Sequence, residues 1–220
     1  MQFSERLTME IRLEQVEPWP LRGGCEDSQV WRQSLVLRSG GRYLVKARSG
    51  RGKTTLLSIL YGMRRDYGGE VYFGAADIRR YRVKDWSDVR QRRLGLVFQD
   101  LQLFDDLTAW ENVEIKNRLT ARRRPAEIQE MFSWLGLADR MRQAAQRLSV
   151  GQKQRVALIR ALCQPFEILL LDEPFSHLDP ENTERGRTLI DKECRAQGAT
   201  LILTSLDADP GRDYDQVYDL

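Results

Sequence analysis

The stretch Ala47-Arg48-Ser49-Gly50-Arg51-Gly52-Lys53-Thr54 constrains this chain more than any other. It follows a short apolar run, Tyr43-Leu44-Val45, and precedes residues 54–63, whose spacing suits a helix. A strand, a glycine-bearing loop and a helix in that order make a phosphate-binding element. Backbone N–H groups around residues 50–53 can converge on phosphate oxygens, and the helix N-terminus adds its dipole. Lys53 supplies a point charge for β and γ phosphates, and the Thr54 hydroxyl suits Mg²⁺.

A second element answers the first. Ile168-Leu169-Leu170-Leu171 is a purely aliphatic run that ends in Asp172-Glu173. Four aliphatics bury a central strand, and open α/β sheets bind ligands at the carboxyl ends of such strands. Asp172 would hold Mg²⁺ through water, and Glu173 would polarise an attacking water as general base. Residues 9–16 alternate apolar and polar, as a half-buried strand does, and residues 30–37 read as another. Residues 71–73, 94–98 and 200–204 are further strand candidates. Residues 105–164 are mostly helical in character, and residues 181–197 form a helix that Gly198 would cap.

Between the two elements lies Leu148-Ser149-Val150-Gly151-Gln152, followed by Lys153-Gln154-Arg155. This ordered set resembles the nucleotide-binding subunit of an ATP-binding cassette (ABC) transporter, over about residues 30–220. The resemblance implies a P-loop α/β cassette: a RecA-like core, an N-terminal antiparallel β-subdomain and an inserted helical subdomain. One ABC ATPase domain would span residues 1–220, with its core at about 1–99 and 165–220 and its helical subdomain at about 100–164. Phe98-Gln99 resembles the Q-loop, whose glutamine contacts Mg²⁺ and the lytic water and senses a membrane subunit. Ser176-His177-Leu178-Asp179 resembles the D-loop, which crosses the dimer interface. The same resemblance carries ATP contacts to Ser49, Gly50, Arg51, Gly52, Lys53, Thr54, Thr55, Ser149, Gly151, Gln152 and Asp179, and Mg²⁺ contacts to Thr54, Gln99 and Asp172. In this family two subunits, copies or homologues, sandwich two ATP molecules. The phosphate loop of one faces the Ser149–Gly151 region of the other. Residues 97–113 are similar to the branch that serves lipoprotein release, macrolide and peptide export, and cell division.

The chain departs from the family pattern at three places. Ala47 stands where the phosphate loop has its first glycine, and Val150 where residues 148–152 have theirs. A β-branched residue restricts the backbone and adds bulk at that point. Ser205 follows the strand at 200–204, where the family has a switch histidine. A serine can donate a hydrogen bond but does not titrate near neutral pH. The single histidine, His177, reads as an interface or surface residue. Trp19 is the candidate for the aromatic that stacks on adenine, and Trp31 reads as a packed residue of the β-subdomain. Retained Lys53, Thr54, Gln99, Asp172 and Glu173 favour a working ATPase, whereas Ser205 predicts slow turnover. The alternative is a nucleotide-gated module that signals to a membrane partner with little transport.

Composition excludes other classes. At 41% hydrophobic and 30% charged, the chain has the balance of a globular domain with a core. A net charge of +3 is too small to argue for nucleic acid, and no nucleic-acid partner is expected. Arg79-Arg80, Arg92-Arg93 and Arg122-Arg123-Arg124 read as a solvated surface or as contacts to anionic lipid or a partner. Residues 1–10 lack the apolar stretch of a secretory signal. Cys25, Cys163 and Cys194 form neither a metal pattern nor a disulfide framework, which suits a reducing compartment. The resemblance places the chain in the cytoplasm, peripheral at the inner face of the membrane, with an integral-membrane permease subunit as partner.

Overall fold

The structure, a computed structural model, describes residues 9–24, 26–206 and 213–220. Strand β1 (Ile11–Pro18) buries Ile11, Leu13 and Val16 on one face. The step from 13 to 16 breaks strict alternation, and the chain absorbs it with a bulge. Gln15 takes a left-handed φ of 51°, and the pairing with β4 (Tyr67–Phe73) shifts register between Glu14 and Glu17. Opposite the bulge stands Gly69, where a Cβ would lie 2.2 Å from the Gln15 carbonyl oxygen. Only glycine fits there.

β1 also pairs antiparallel with β2 (Ser34–Leu37), and β4 with β5 (Ala76–Asp77), in the order β2-β1-β4-β5. The strand expected over residues 30–37 is therefore only its second half. The Ser28 hydroxyl accepts from the N–H groups of Val30 (3.1 Å) and Trp31 (2.8 Å), and Arg32 is left-handed at φ 58°. That side-chain turn replaces the ladder. Trp31 is buried as expected.

The second sheet is wholly parallel. Its order is β6 (Leu94–Val97), β7 (Ile168–Asp172), β8 (Thr200–Ser205), β3 (Arg42–Lys46) and β9 (Gln216–Asp219). β7 shows why a continuous aliphatic run suits its centre. Ile168 and Leu170 face one buried cluster, shared with Ile11, Trp31, Leu57 and Ile202. Leu169 and Leu171 face another, shared with Phe132, Leu158, Leu201 and Leu203. The period of two thus feeds two layers from one strand. The first cluster joins the antiparallel sheet and α1 (Lys53–Leu60) to the parallel sheet. The second joins it to α5 (Val150–Leu162) and α6 (Pro180–Gln197).

A helix that the periodicity did not indicate, α2 (Val83–Arg92), buries only Trp86 and Val89. It is held from outside itself. Arg90 donates to the carbonyls of Tyr61 and Gly62, both at 3.0 Å. The expected helical stretch holds α3 (Ala109–Arg118), α4 (Pro125–Trp134) and α5. Capping boxes start α3 at Thr108 and Glu111, and α5 at Ser149 and Gln152. Gly198 closes α6 in the left-handed conformation, as expected. Among the described residues no helix is long and apolar enough to cross a membrane.

Two thiols lie inside this framework; Cys25 is outside the described residues. Burial pushes Cys163 and Cys194 up to about 12. A thiol raised in the folded state contributes stability that is intact below the unfolded value, about 8.5, and is lost as pH rises through the folded one. At pH 8 both thiols are expected to resist a thiol-specific reagent in the native chain and to react once urea unfolds it. Labelling of either at the rate of a free thiol in the native state would contradict this burial.

Candidate functional site

The sheet's carboxyl edge gathers the chemistry. β3 ends at Lys46, and the Ala47 N–H donates to the Ser205 carbonyl at 3.1 Å, so the phosphate loop leaves the sheet beside the end of β8. Gly50 and Gly52 are left-handed, at φ 81° and 103°. A Cβ on Gly52 would meet Leu21 at 2.6 Å and the Trp31 indole at 3.2 Å. The Arg51 guanidinium donates to the Gly24 carbonyl at 2.7 Å. The segment after β1 therefore forms a floor beneath the loop. Ser49, Gly50 and Arg51 are exposed above it, with Thr55 half-buried behind.

Lys53 is buried at 6% exposure. Its ammonium donates to the carbonyls of Ala47 (2.6 Å) and Arg48 (3.3 Å) and pairs with Glu173 Oε1 at 3.2 Å. All three of its protons are engaged. Glu173 itself is left-handed, at φ 47°, a conformation that strains a non-glycine residue. Its N–H is held by the Thr204 carbonyl at 3.2 Å.

Asp172, only 1% exposed, is gripped at both oxygens. Thr54 Oγ1 donates to Oδ2 at 2.7 Å and Thr204 Oγ1 to Oδ1 at 2.6 Å. Sequence reasoning missed Thr204. The one signal was a hydroxyl at the end of the aliphatic run Leu201-Ile202-Leu203, and the structure buries it. Among the described residues no hydrogen bond joins Gln99 to this pair, but with Thr54, Met63 and Phe98 it lines a cavity of about 590 Å³. Beyond it Leu101 and Gln102 are left-handed, and Arg160 of α5 donates to both of their carbonyls at 2.6 Å.

The remaining expected positions stand elsewhere. Ser149 caps α5, its hydroxyl accepting from the Gln152 N–H at 3.3 Å while Gln152 Oε1 accepts from the Ser149 N–H at 3.0 Å. Val150 is 52% exposed. Among the described residues no hydrogen bond or ion pair joins residues 149–152 to Lys53 or Thr54. Asp179 caps α6, and hydrogen bonds from Asn182 hold its carboxyl below the usual range. His177 is exposed, its Nδ1 2.9 Å from Ser176 Oγ. Trp19 is 53% exposed, with the Arg22 guanidinium over its ring at 5.7 Å from the centroid. Ser205 is half-buried beside Ala47.

The donor set fits a nucleotide phosphate with Mg²⁺. No side chain caps the N-terminus of α1, so its first N–H groups suit an anion. Hard oxygens on Thr54 and Asp172 suit magnesium.

The comparisons with known proteins agree with this geometry. Residues 32–176 match the family model described as ABC transporter. The chain belongs to the ABC transporter family. It is an ATPase cassette of that family in fold: a P-loop α/β core with an antiparallel sheet and inserted helices. It is 37% identical over 174 residues to the thiamine import ATP-binding protein ThiQ of Histophilus somni, covering 78% of each chain. It is also 37% identical over 162 residues to the lipoprotein-releasing system ATP-binding protein LolD of Porphyromonas gingivalis, covering 72% of this chain and 74% of that one. The dimeric structure of MJ0796, a bacterial ABC transporter cassette, superposes with a TM-score of 0.82 at 27% identity, over 96% of this chain and 94% of that one.

The buried pair in this cassette makes a test of its own. Lys53→Met leaves the Glu173 carboxylate, at 10% side-chain exposure, without its cation. Removing one partner of a buried pair costs about 3–5 kcal/mol. In urea unfolding at pH 7, Lys53→Met is expected to lose stability of that order, and adding Glu173→Gln to recover most of it. Equal stability of Lys53→Met and the unaltered chain would contradict the pairing.

Proposed function

We propose that this chain is the ATP-binding and hydrolysing subunit of an ABC membrane complex, and that closure of a dimer around ATP drives the membrane partner. One observation carries this reading. Lys53, Glu173, Thr54 and Asp172 converge at one edge of the sheet, while Ser149 and Gly151 stand on a helix N-terminus with no bond to them. A second chain, a copy or a homologue, would bring its own Ser149 and Gly151 N–H to that edge. Two dimeric structures of the MJ0796 cassette, one of them bound to ADP and Pi, support the reading.

The residues divide the work. Lys53 holds the phosphates of the substrate, with N–H groups of Ser49 to Thr55 around them. Glu173 is the present partner of Lys53, so a substrate phosphate that takes the lysine frees the carboxylate to act as base. Thr54, Asp172 and Gln99 would hold Mg²⁺, which neutralises charge on the transferred phosphate. Trp19 offers its open face to adenine, Gln152 and Asp179 reach across the dimer, and Ser205 donates where the family has a titratable histidine. That exchange supports slow turnover. It also supports the alternative, a nucleotide-gated module that hydrolyses ATP only to reset.

The membrane partner is an integral-membrane permease subunit, with this chain at the cytoplasmic face. Exposed Met63, Phe104, Ile115 and Leu119 around the Gln99 region make an apolar surface of the kind that marks an interaction site. ThiQ and LolD are named for import and release systems, which is consistent with such a partner. We read the whole chain, residues 1–220, as one ABC ATPase domain with a core at about 1–99 and 165–220 and a helical subdomain at about 100–164.

Steady-state and single-turnover hydrolysis test this assignment. Turnover is expected below about 1 s⁻¹, at the low end for enzymes. Glu173→Gln should lose about 100-fold or more, the contribution of a general base. Ser205→Ala should slow the reaction further and Ser205→His accelerate it. A fast rate that Ser205→Ala leaves untouched would sink the role of Ser205, and full function of Glu173→Gln in cells would favour the gated module.

A further inference from the structure

The proposed chemistry makes no use of the buried amide of Gln154. Gln154, on α5, is only 3% exposed, and a glutamine amide carries two donors and an acceptor that burial obliges it to satisfy. Among the described residues the hydrogen-bond partners of its side chain lie on the segment that leaves β7. Nε2 donates to the Glu173 carbonyl at 3.0 Å and to Ser176 Oγ at 3.3 Å, and Oε1 accepts from the His177 N–H at 3.2 Å. One turn earlier on the same helix, Gly151 abuts the same segment. A Cβ there would lie 2.7 Å from the His177 carbonyl oxygen. The segment at 173–177 is thus clamped to α5 by close contact at one point and by hydrogen bonds at another.

The clamp bears on a residue of the phosphate edge whose conformation needs support. Glu173 is left-handed, and a strained backbone persists only where its surroundings over-determine it. The Gln154 amide grips its carbonyl, and Thr204 its N–H, while the carboxylate points to Lys53. Gln154 touches none of the reacting groups. Its helix, however, begins with Ser149 and Gly151, the residues that would face the substrate of a second chain.

We propose that Gln154 is a positioning residue for Glu173, fixing the base's main chain and coupling it to the engagement of the α5 N-terminus. This inference rests on Glu173 being the general base. A misplacement near 1 Å, remote from the chemistry, costs about 100-fold in rate. Gln154→Glu keeps the size and the acceptor but sets a carboxylate oxygen against the Glu173 carbonyl. Gln154→Met keeps the volume and removes every bond, and it serves where the charged variant does not fold.

The full chain, with Mg²⁺ and radiolabelled ATP, is assayed in single turnovers, and ATP-dependent dimer formation is read in parallel by light scattering. Either variant is expected to lower the hydrolysis rate by about 10- to 100-fold, as loss of a supporting hydrogen bond does. The ATP concentration at half-maximal rate and the dimer yield should stay within about threefold, since a positioning residue acts on the chemical step and leaves binding alone. A rate equal to that of the unaltered chain, or a loss carried by half-saturation and dimer yield, overturns the proposal. Glu173→Gln is run beside it. Retained hydrolysis there overturns the base assignment and this inference together. Lost hydrolysis there, with an unchanged rate in Gln154→Glu, overturns this inference alone.

Discussion

Two threonine hydroxyls on one buried carboxylate hold the edge of this sheet together. Asp172 accepts from Thr54 on α1 and from Thr204 on β8. A buried carboxylate needs such donors, because leaving it unpaired is far more costly than the bonds are strong. The requirement ties the helix that follows the phosphate loop to the two central strands. It sets where Thr54 stands and brings Thr204 against the N–H of Glu173. The Lys53–Glu173 pair then closes the other side of the same edge.

Helix α5 reaches this edge from the opposite layer. Its N-terminus carries Ser149 and Gly151, its second turn holds the segment after Glu173 through Gln154, and Arg160 holds two left-handed carbonyls beyond Gln99. Two strained stretches, one after each of β6 and β7, therefore rest on a single helix. The buried second cluster, with Leu158 against Leu169 and Leu171, keeps that helix on the sheet.

Much of this was legible in the residues. A glycine loop with lysine and threonine and an aliphatic run ending in two carboxylates are local patterns, and each stands where its spacing puts it. Residues 148–152 are legible through the family resemblance, and that Ser149 and Gln152 cap α5 emerges only from the structure. What stayed hidden depends on distant partners. α2 is polar along its length and is held by Trp86 and by Arg90 bonds to the end of α1. Residues 30–33 look strand-like, yet Ser28 captures two of their N–H groups. Thr204 is an ordinary β-branched strand residue until the fold sets it opposite Asp172. Gln154 shows no sign in sequence that its amide is buried, and the left-handed turn at Glu173 has no residue signal, since glutamate carries none of glycine's freedom.

On the proposed reading one chain holds half of a nucleotide site, since among the described residues no hydrogen bond or ion pair joins Ser149 or Gly151 to Lys53 or Thr54. The most direct measurement is the mass of the Glu173→Gln chain in solution, by light scattering, with and without ATP and Mg²⁺. Slowed hydrolysis should hold the closed state, so the mass of one chain without nucleotide should become the mass of two with ATP, and return to one when ADP replaces it. The mass of a single chain at saturating ATP would contradict a dimer closed by nucleotide.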